Sequence, residues 1–455
     1  MKTPPGPRGR PLIGNLPDFA RDLLGFFTVS AREYGDVVRM RLGGRPAWLI
    51  SDPALIETVL VTRHRDFVKH SWFWRHVTRV FGTGLLTAEG DEWVRHRRLV
   101  QPAFHANRIA SYADAMVDHT QRMLEGWRDG EERDLHAEMM ALTMRIVAKV
   151  LFDASVESHI ARIDRAFEQT LRSVATRYRR PFFIPDWVPI PDNLRYLRGV
   201  REMETLIGGF IAEHRTRGTS GDDLLSMLLR ARDEEGGSLS DREVRDEAIT
   251  LFLAGHETTA LTLSWAWHLL GRHPDDAKRL HDEADDVLAD HDPSAQDVKR
   301  LPFTEAVVLE SMRLYPPAFA IGREAIRAVE LGDYTMPRGT TVFISPWVMH
   351  RDPRFFDEPD AFRPARWMDG LAGRISPFVF LPFGLGPRRC IGHRFAMMEA
   401  VLLLATMARR VRVEPIGPAP TPFPSITLRP EGGVHVRISV RAAPPAQYSA
   451  NSSSA

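Results

Sequence analysis

The chain of 455 residues contains one cysteine, Cys390. A lone thiol cannot close an internal disulfide, build a zinc ribbon or hold an iron–sulfur cluster, so disulfide-stapled scaffolds and most sulfur-ligated metal sites are excluded. Surplus charge is also missing: 60 Lys and Arg stand against 59 Asp and Glu, a net charge of +1. No overall field favours nucleic acid or an anionic surface, and any basic site has to be local. Long uninterrupted apolar runs are absent too. The longest apolar stretch, 248–270, carries His256, Glu257, Thr258 and Thr259 at its middle. Ionisable groups there are costly in a bilayer, so the stretch reads as a buried helix and not a membrane span. Met1 to Pro7 runs into proline without an apolar leader, which makes a soluble, cytoplasmic protein the expectation. There is no Walker loop and no Gly-x-Ser-x-Gly elbow. His256-Glu257-Thr258-Thr259-Ala260 begins like a zinc-protease helix but has alanine where the second histidine belongs.

What is present suits a large buried core: 44% of residues are hydrophobic and 26% charged. Helical patterns cover about 106–128, 133–152, 157–178, 194–217, 241–273, 275–290, 303–314 and 391–410, with Pro274 and Pro302 as punctuation. Three hairpins are expected. The first runs through Val38, Met40 and Leu42, Gly43-Gly44 and Ala47 to Ile50. The second turns at Pro337 and Gly339 within Val329 to Ile344. The third turns at Gly432-Gly433, between Ser425 to Leu428 and Val434 to Ile438. The fold class is therefore mainly α with small β-sheets (α+β), the sheets assembled from distant segments. Glu234 to Ser238 is a polar turn and not a linker, so 1–441 reads as a single domain. The Pro, Ser and Ala-rich tail 442–455 is expected to be disordered.

Cys390 follows a glycine-rich turn, Phe383-Gly384-Leu385-Gly386-Pro387-Arg388-Arg389, and precedes Ile391-Gly392 and a helical run. Free N–H groups at a helix start favour thiolate over thiol, and a thiolate so held is a strong axial ligand for haem iron. Phe383-x-x-Gly386-x-Arg388-x-Cys390-x-Gly392 resembles the haem-binding signature of the cytochrome P-450 family of haem-thiolate monooxygenases. Three further segments stand in that family's order, and the resemblance runs to about residue 440.

Ala254-Gly255-His256-Glu257-Thr258-Thr259 is similar to the family's oxygen-activation motif. Gly255 and a back-bonding threonine could open the helix there. The resemblance assigns Thr258 to hydrogen-bonding dioxygen at the haem and Glu257 to delivering protons. Glu310-x-x-Arg313 and the arginine of Phe362-Arg363-Pro364-Ala365-Arg366-Trp367 resemble a buried Glu-Arg-Arg network that is structural. Trp367 departs from the family's usual phenylalanine. The resemblance implies the family's fold, with haem b (iron protoporphyrin IX) between the long central helix and the cysteine loop. It further implies iron held by the Cys390 thiolate and propionates held by Trp93, Arg97, Arg323 and Arg388.

From Trp93 to Arg108 there are Arg95, Arg97, Arg98 and Arg108 with His96 and His105, and no acid; Arg388, Arg389, His393 and Arg394 follow near the cysteine. Such a local basic face suits an acidic electron donor. Gly384-x-Gly386-x-x-Arg389 lacks the third glycine of a dinucleotide loop. Electrons therefore have to come from a separate ferredoxin or flavodoxin and its NAD(P)H reductase. The pocket is expected under 66–92, 178–187 and the turn after Pro317, with Phe67, Trp72, Phe73, Trp74, Phe81, Leu86, Phe182 and Phe183 nearby. Leu85, Ala254, Thr258, Ala318 and Ala320 are the expected substrate contacts. With no buried charge in 248–253 or 318–321, the substrate should be apolar: a terpenoid, fatty acyl chain or macrolide-type polyketide, hydroxylated or epoxidised. The alternative is a haem-thiolate binding or sensor protein without turnover. The reduced, carbon-monoxide-bound protein should show the red-shifted Soret band of thiolate ligation, and Cys390→Ala should abolish it, since no second thiol exists.

Overall fold

The computed structural model describes residues 2–69, 74–153, 160–178, 184–217, 221, 223–233, 236–289 and 291–441. Trp72, Phe73, Phe182, Phe183, the start of the 234–238 turn and the tail 442–455 lie outside the described residues. The strands are β1 (Val37–Leu42), β2 (Arg45–Ile50), β3 (Phe67–Val68), β4 (Glu132–Asp134), β5 (Ile321–Ala325), β6 (Val329–Leu331), β7 (Tyr334–Met336), β8 (Thr341–Ile344), β9 (Val411–Pro415), β10 (Thr421–Pro424), β11 (Leu428–Glu431) and β12 (His435–Val440). The principal helices are α1 (Leu23–Tyr34), α2 (Gly90–Val100), α3 (Ala113–Glu125), α4 (Leu135–Phe152), α5 (Ile160–Tyr178), α6 (Pro191–Arg217), α7 (Leu224–Arg230), α8 (Asp241–Leu270), α9 (Pro274–Val287), α10 (Pro302–Leu314) and α11 (His393–Arg410). The expected mixture of long helices and small sheets is what forms.

The first hairpin follows its sequence. Val38, Met40 and Leu42 point into the core while Arg39 and Arg41 point out, and Gly43 and Gly44 take φ of +56° and +81° to close the turn. In the five-stranded sheet the order is β1-β2-β8-β5-β3, with β2 parallel to β8 and β8 antiparallel to β5. The chain's two halves thus share one sheet. The other two hairpins differ from expectation. The second turns at Gly332-Asp333, joining β6 to β7, because the chain past Pro337 is drawn away: β8, buried at all four positions, belongs between β2 and β5. Gly432-Gly433 does not join β11 to β12. β11 pairs back with β10, while Asp134 accepts the Val434 N–H (2.8 Å) and directs β12 to β4 and β9.

α8 begins at a capping box, in which Ser240 and Glu243 satisfy each other's backbone N–H groups. It then passes through the main core against α4, α10 and α11. Gly255 faces α4: a Cβ there would sit 3.1 Å from a Val147 methyl, so glycine permits close helix packing. No opening of α8 accompanies it. Thr258 bonds back to the Ala254 carbonyl (3.0 Å) and Thr262 to that of Thr258 (3.0 Å), and the helix runs unbroken from Asp241 to Leu270.

The Glu-Arg-Arg network forms and is wholly buried. Arg313 Nε and Nη2 donate to both Glu310 oxygens (2.9 and 2.8 Å), and its remaining donors take the carbonyls of His350, Pro359 and Ala361. Arg366 Nε reaches Glu310 Oε1 at 3.1 Å, while Trp367 Nε1 donates to Oε2 at 2.8 Å. The departure to tryptophan therefore adds a donor to a buried carboxylate that phenylalanine could not supply. Trp367→Phe should lower stability in urea by about 1–3 kcal/mol. Glu310→Gln, which leaves two buried arginines unbalanced, should cost about 3–5 kcal/mol.

Candidate active site

Between α8 and the cysteine loop lies a cavity of about 380 Å³. Leu85, Ala254, Thr258, Ala318 and Ala320 all line it, as do Trp93, Arg97, Arg323, Phe383, Arg388, Cys390 and Gly392. The sequence-derived set is thus brought together with two exceptions, Gly386 and Glu257. Gly386 works from behind the wall: its φ is +69°, and a Cβ would fall 2.0 Å from the Leu60 carbonyl oxygen, so only glycine lets the loop dock there. Trp74 and Leu86 line the cavity, whereas Phe67 and Phe81 pack core.

The Cys390 N–H donates to the Phe383 carbonyl (2.9 Å), which closes the loop and presents the sulfur to the cavity. Burial raises the thiol's pKa above its ordinary value, against the opposing pull of the Gly392 N–H, Arg97, Lys69 and Arg389. The loop alone does not make a thiolate, contrary to the sequence argument: α11 starts only at His393, and burial outweighs the positive groups. Metal coordination, which deprotonates a thiol outright, would have to do so.

One end of the cavity carries four cations, Lys69, Arg97, Arg323 and Arg388, and Glu89 is the acid paired among them, with Arg388 at 2.5 Å. Arg388 also lies over the Trp93 ring at 4.2 Å. Burial pushes Arg323 down to about 10. Lys69 falls well below the ordinary lysine range through burial and repulsion from Arg323 and Arg388. Trp74 Nε1, also in the wall, is buried without a hydrogen-bond partner. A surplus of buried positive charge and an orphaned donor fit a dianionic group, as the two haem propionates are. Sequence reasoning missed Lys69 and Trp74; the one signal was that Lys69 is among only five lysines in the chain.

Glu257 and Thr258 do not face the same way. Adjacent residues diverge by about 100° around a helix. Thr258 opens on the cavity, while Glu257 points to β11, where its Oε1 accepts from the Thr427 hydroxyl (2.8 Å) and Arg429 Nε (2.8 Å). The expected side-by-side water relay is therefore not formed by this pair. His256 is buried, its Nδ1 2.9 Å from the Phe252 carbonyl oxygen.

The basic face also needs correction. Arg95 turns inward to Asp233 (2.9 Å), Glu243 (2.6 Å) and the Ser238 carbonyl, and His96 is fully buried against Glu247 (2.8 Å) and Glu243 (3.2 Å). A helix shows its consecutive charges to opposite sides, so an acid-free run is not one surface. Arg98, His105, Arg389 and Arg394 are the members left at the surface, joined to the cysteine loop where Arg97 Nη1 donates to the Arg389 carbonyl (3.0 Å).

A long helix over a cavity with a single thiol at its wall, closed at one end by buried cations, suits a haem-thiolate oxygenase. The family model for cytochrome P450 matches residues 4–436. Cyclooctatin synthase of Streptomyces melanosporofaciens is 39% identical over 427 residues, covering 93% of this chain and 92% of that protein. Cyclooctat-9-en-7-ol 5-monooxygenase of the same species is 37% identical over 419 residues (91% and 90%). Pentalenene oxygenase of Streptomyces avermitilis is 36% identical over 415 residues (90% and 91%). The chain belongs to the cytochrome P450 family and is a monooxygenase, an oxidoreductase that needs electrons from a redox partner. Among the described residues no helix is long and apolar enough to cross a membrane. Arg95→Glu should destabilise the fold by about 1–3 kcal/mol by placing like charges together. Arg98→Glu, at the surface, should cost under about 0.5 kcal/mol in the same denaturation series.

Proposed function

We propose that this P450 hydroxylates a cyclic terpenoid. The reading rests on one observation: a cavity lined by Leu85, Ala254, Ala318 and Ala320, with a lone thiol and a threonine hydroxyl on its walls and cations confined to one end. The kinship with two cyclooctatin-pathway proteins and pentalenene oxygenase supports a terpenoid over a fatty acyl chain or macrolide. Residues 1–441 form the single catalytic domain in this reading. Haem b is held through Cys390, with Trp93, Arg97, Arg323 and Arg388, joined by Lys69 and Trp74, binding its propionates.

Haem so bound uses dioxygen, two electrons and two protons to insert one oxygen atom into a C–H bond and release the other as water. The protein's part is positioning and exclusion. Small side chains at 254, 318 and 320 leave room for a bulky ring system close to Thr258. The apolar walls drive ring burial at roughly 25 cal/mol per Å². The Thr258 hydroxyl, bonded back to Ala254, can turn its proton to dioxygen in the cavity. The surface arginines beside the cysteine loop receive an acidic ferredoxin or flavodoxin, itself reduced by an NAD(P)H reductase.

Binding-difference spectra against cyclic terpenes, fatty acids and macrolides test the substrate class. A cyclic terpene should bind at least about tenfold tighter than the other panels, a gap of about 1.4 kcal/mol; a fatty acid in that place overturns the assignment. Arg98→Glu with Arg394→Glu should slow reduction by a ferredoxin several-fold at low salt, with the difference fading as salt screens it.

A further inference from the structure

Glu399 lies on α11 among the residues that back the cavity: Phe395, Ala396, Met397 and Ala400 of the same helix line it. Its side chain is fully buried, and neither carboxyl oxygen has a hydrogen-bond partner among the described residues. Burial without a partner costs a carboxylate several kcal/mol, so the neutral acid is the form that fits such a site. The polar neighbour that acts on it is Thr259 of α8, which itself lines the cavity beside Thr258.

A second buried carboxyl sits on α8 with the opposite surroundings. Glu257 carries a bidentate arginine and a threonine donor, which hold it as an anion. One acid is kept charged and turned from the cavity; the other is kept neutral next to it. Two titratable groups whose environments drive them apart divide the roles of acid and base.

We infer that Glu399, acting through the Thr259 hydroxyl, is the proton donor to the cavity, while Glu257 stays ionised behind α8. This rests on the monooxygenase reading above and supplies one of the two protons that reaction consumes. In the step the Glu399 O–H bond breaks as its proton passes to the Thr259 oxygen, directly or through one water. The Thr259 O–H proton moves on to water in the cavity. The carboxylate left behind takes a proton back from cavity water once the product has gone, and burial makes that return favourable.

The group's charge behaves accordingly. Burial lifts the Glu399 carboxyl to about 8, the Thr259 contact opposes this weakly, and no charged group contributes from α8 or from α3, α9 and α10, which also pack on α11. The acid is therefore neutral below about pH 8 and ionised above, so donation is lost as pH rises through that value.

The test uses the haem-loaded protein in two arms. Infrared spectra of the resting enzyme should show a buried carboxylic C=O band that fades as pH rises through about 8, is absent in Glu399→Gln and shifts in Thr259→Val. Glu257→Gln should leave that band in place. In turnover, both Glu399→Gln and Thr259→Val should lower product formed per NAD(P)H about tenfold or more, with peroxide released instead, and Glu399→Asp should recover part of it. A structural role alone would leave the pH dependence of coupling unchanged, whereas here the fall above pH 8 disappears in Glu399→Gln. A band that survives Glu399→Gln, or coupling equal to the parent in both variants, overturns the inference. The infrared arm needs no turnover. Failure to find an oxidisable substrate would therefore overturn the proposed function, while the band still decides the protonation of Glu399.

Discussion

Glu310 is the constraint on which the geometry depends. Two buried guanidinium groups, an indole N–H and the Arg363 backbone N–H converge on one carboxylate, tying α10 to the segment that leads into the cysteine loop. A buried ion cluster is a poor source of net stability, but once formed it tolerates little displacement of any member. Arg313 extends the constraint by engaging carbonyls at His350, Pro359 and Ala361. The loop bearing the only thiol is thereby fixed relative to α8 by polar contacts of defined direction, where apolar packing alone would let it slide.

The cavity sorts charge in space. Cations gather at one end around Glu89, the centre is apolar, and each of two carboxyl groups is held in a single protonation state on a different side. Inside low dielectric a charge without a partner is expensive, so each ionised group marks where its counter-charge belongs. Where one end of the wall has more cations than anions, an anionic ligand completes it. Where a carboxyl has no donor, the proton does so.

How much of this could be read from sequence depends on how local each feature is. Cys390, Gly386, Thr258 and the Glu310–Arg313 pair were legible because their neighbours along the chain constrain them. Arg366 and Arg388 were legible only through resemblance. Lys69, Trp74, Arg429 and Glu399 act through contacts between segments far apart, and nothing in their flanking residues announces that. Arg95 and His96 were misread for the converse reason: contiguous charges on a helix look like one patch until the rotation of 100° per residue separates them. The two misplaced turns failed because glycine marks where a chain can reverse, while strand pairing is decided by what the next segment can bury.

The pairing of Ala47 with Thr341 carries a consequence for how the chain is made. During synthesis the β1-β2 hairpin leaves the ribosome long before its parallel partner exists, and parallel pairing offers no local shortcut. Until β8 emerges, β2 has an unsatisfied edge whose side chains are apolar, the condition in which nascent chains associate wrongly or recruit chaperones. The cysteine loop follows β8 by some tens of residues, so the sheet can close before the thiol appears. Vectorial synthesis thus orders assembly, with the scaffold first and the ligand-bearing loop last.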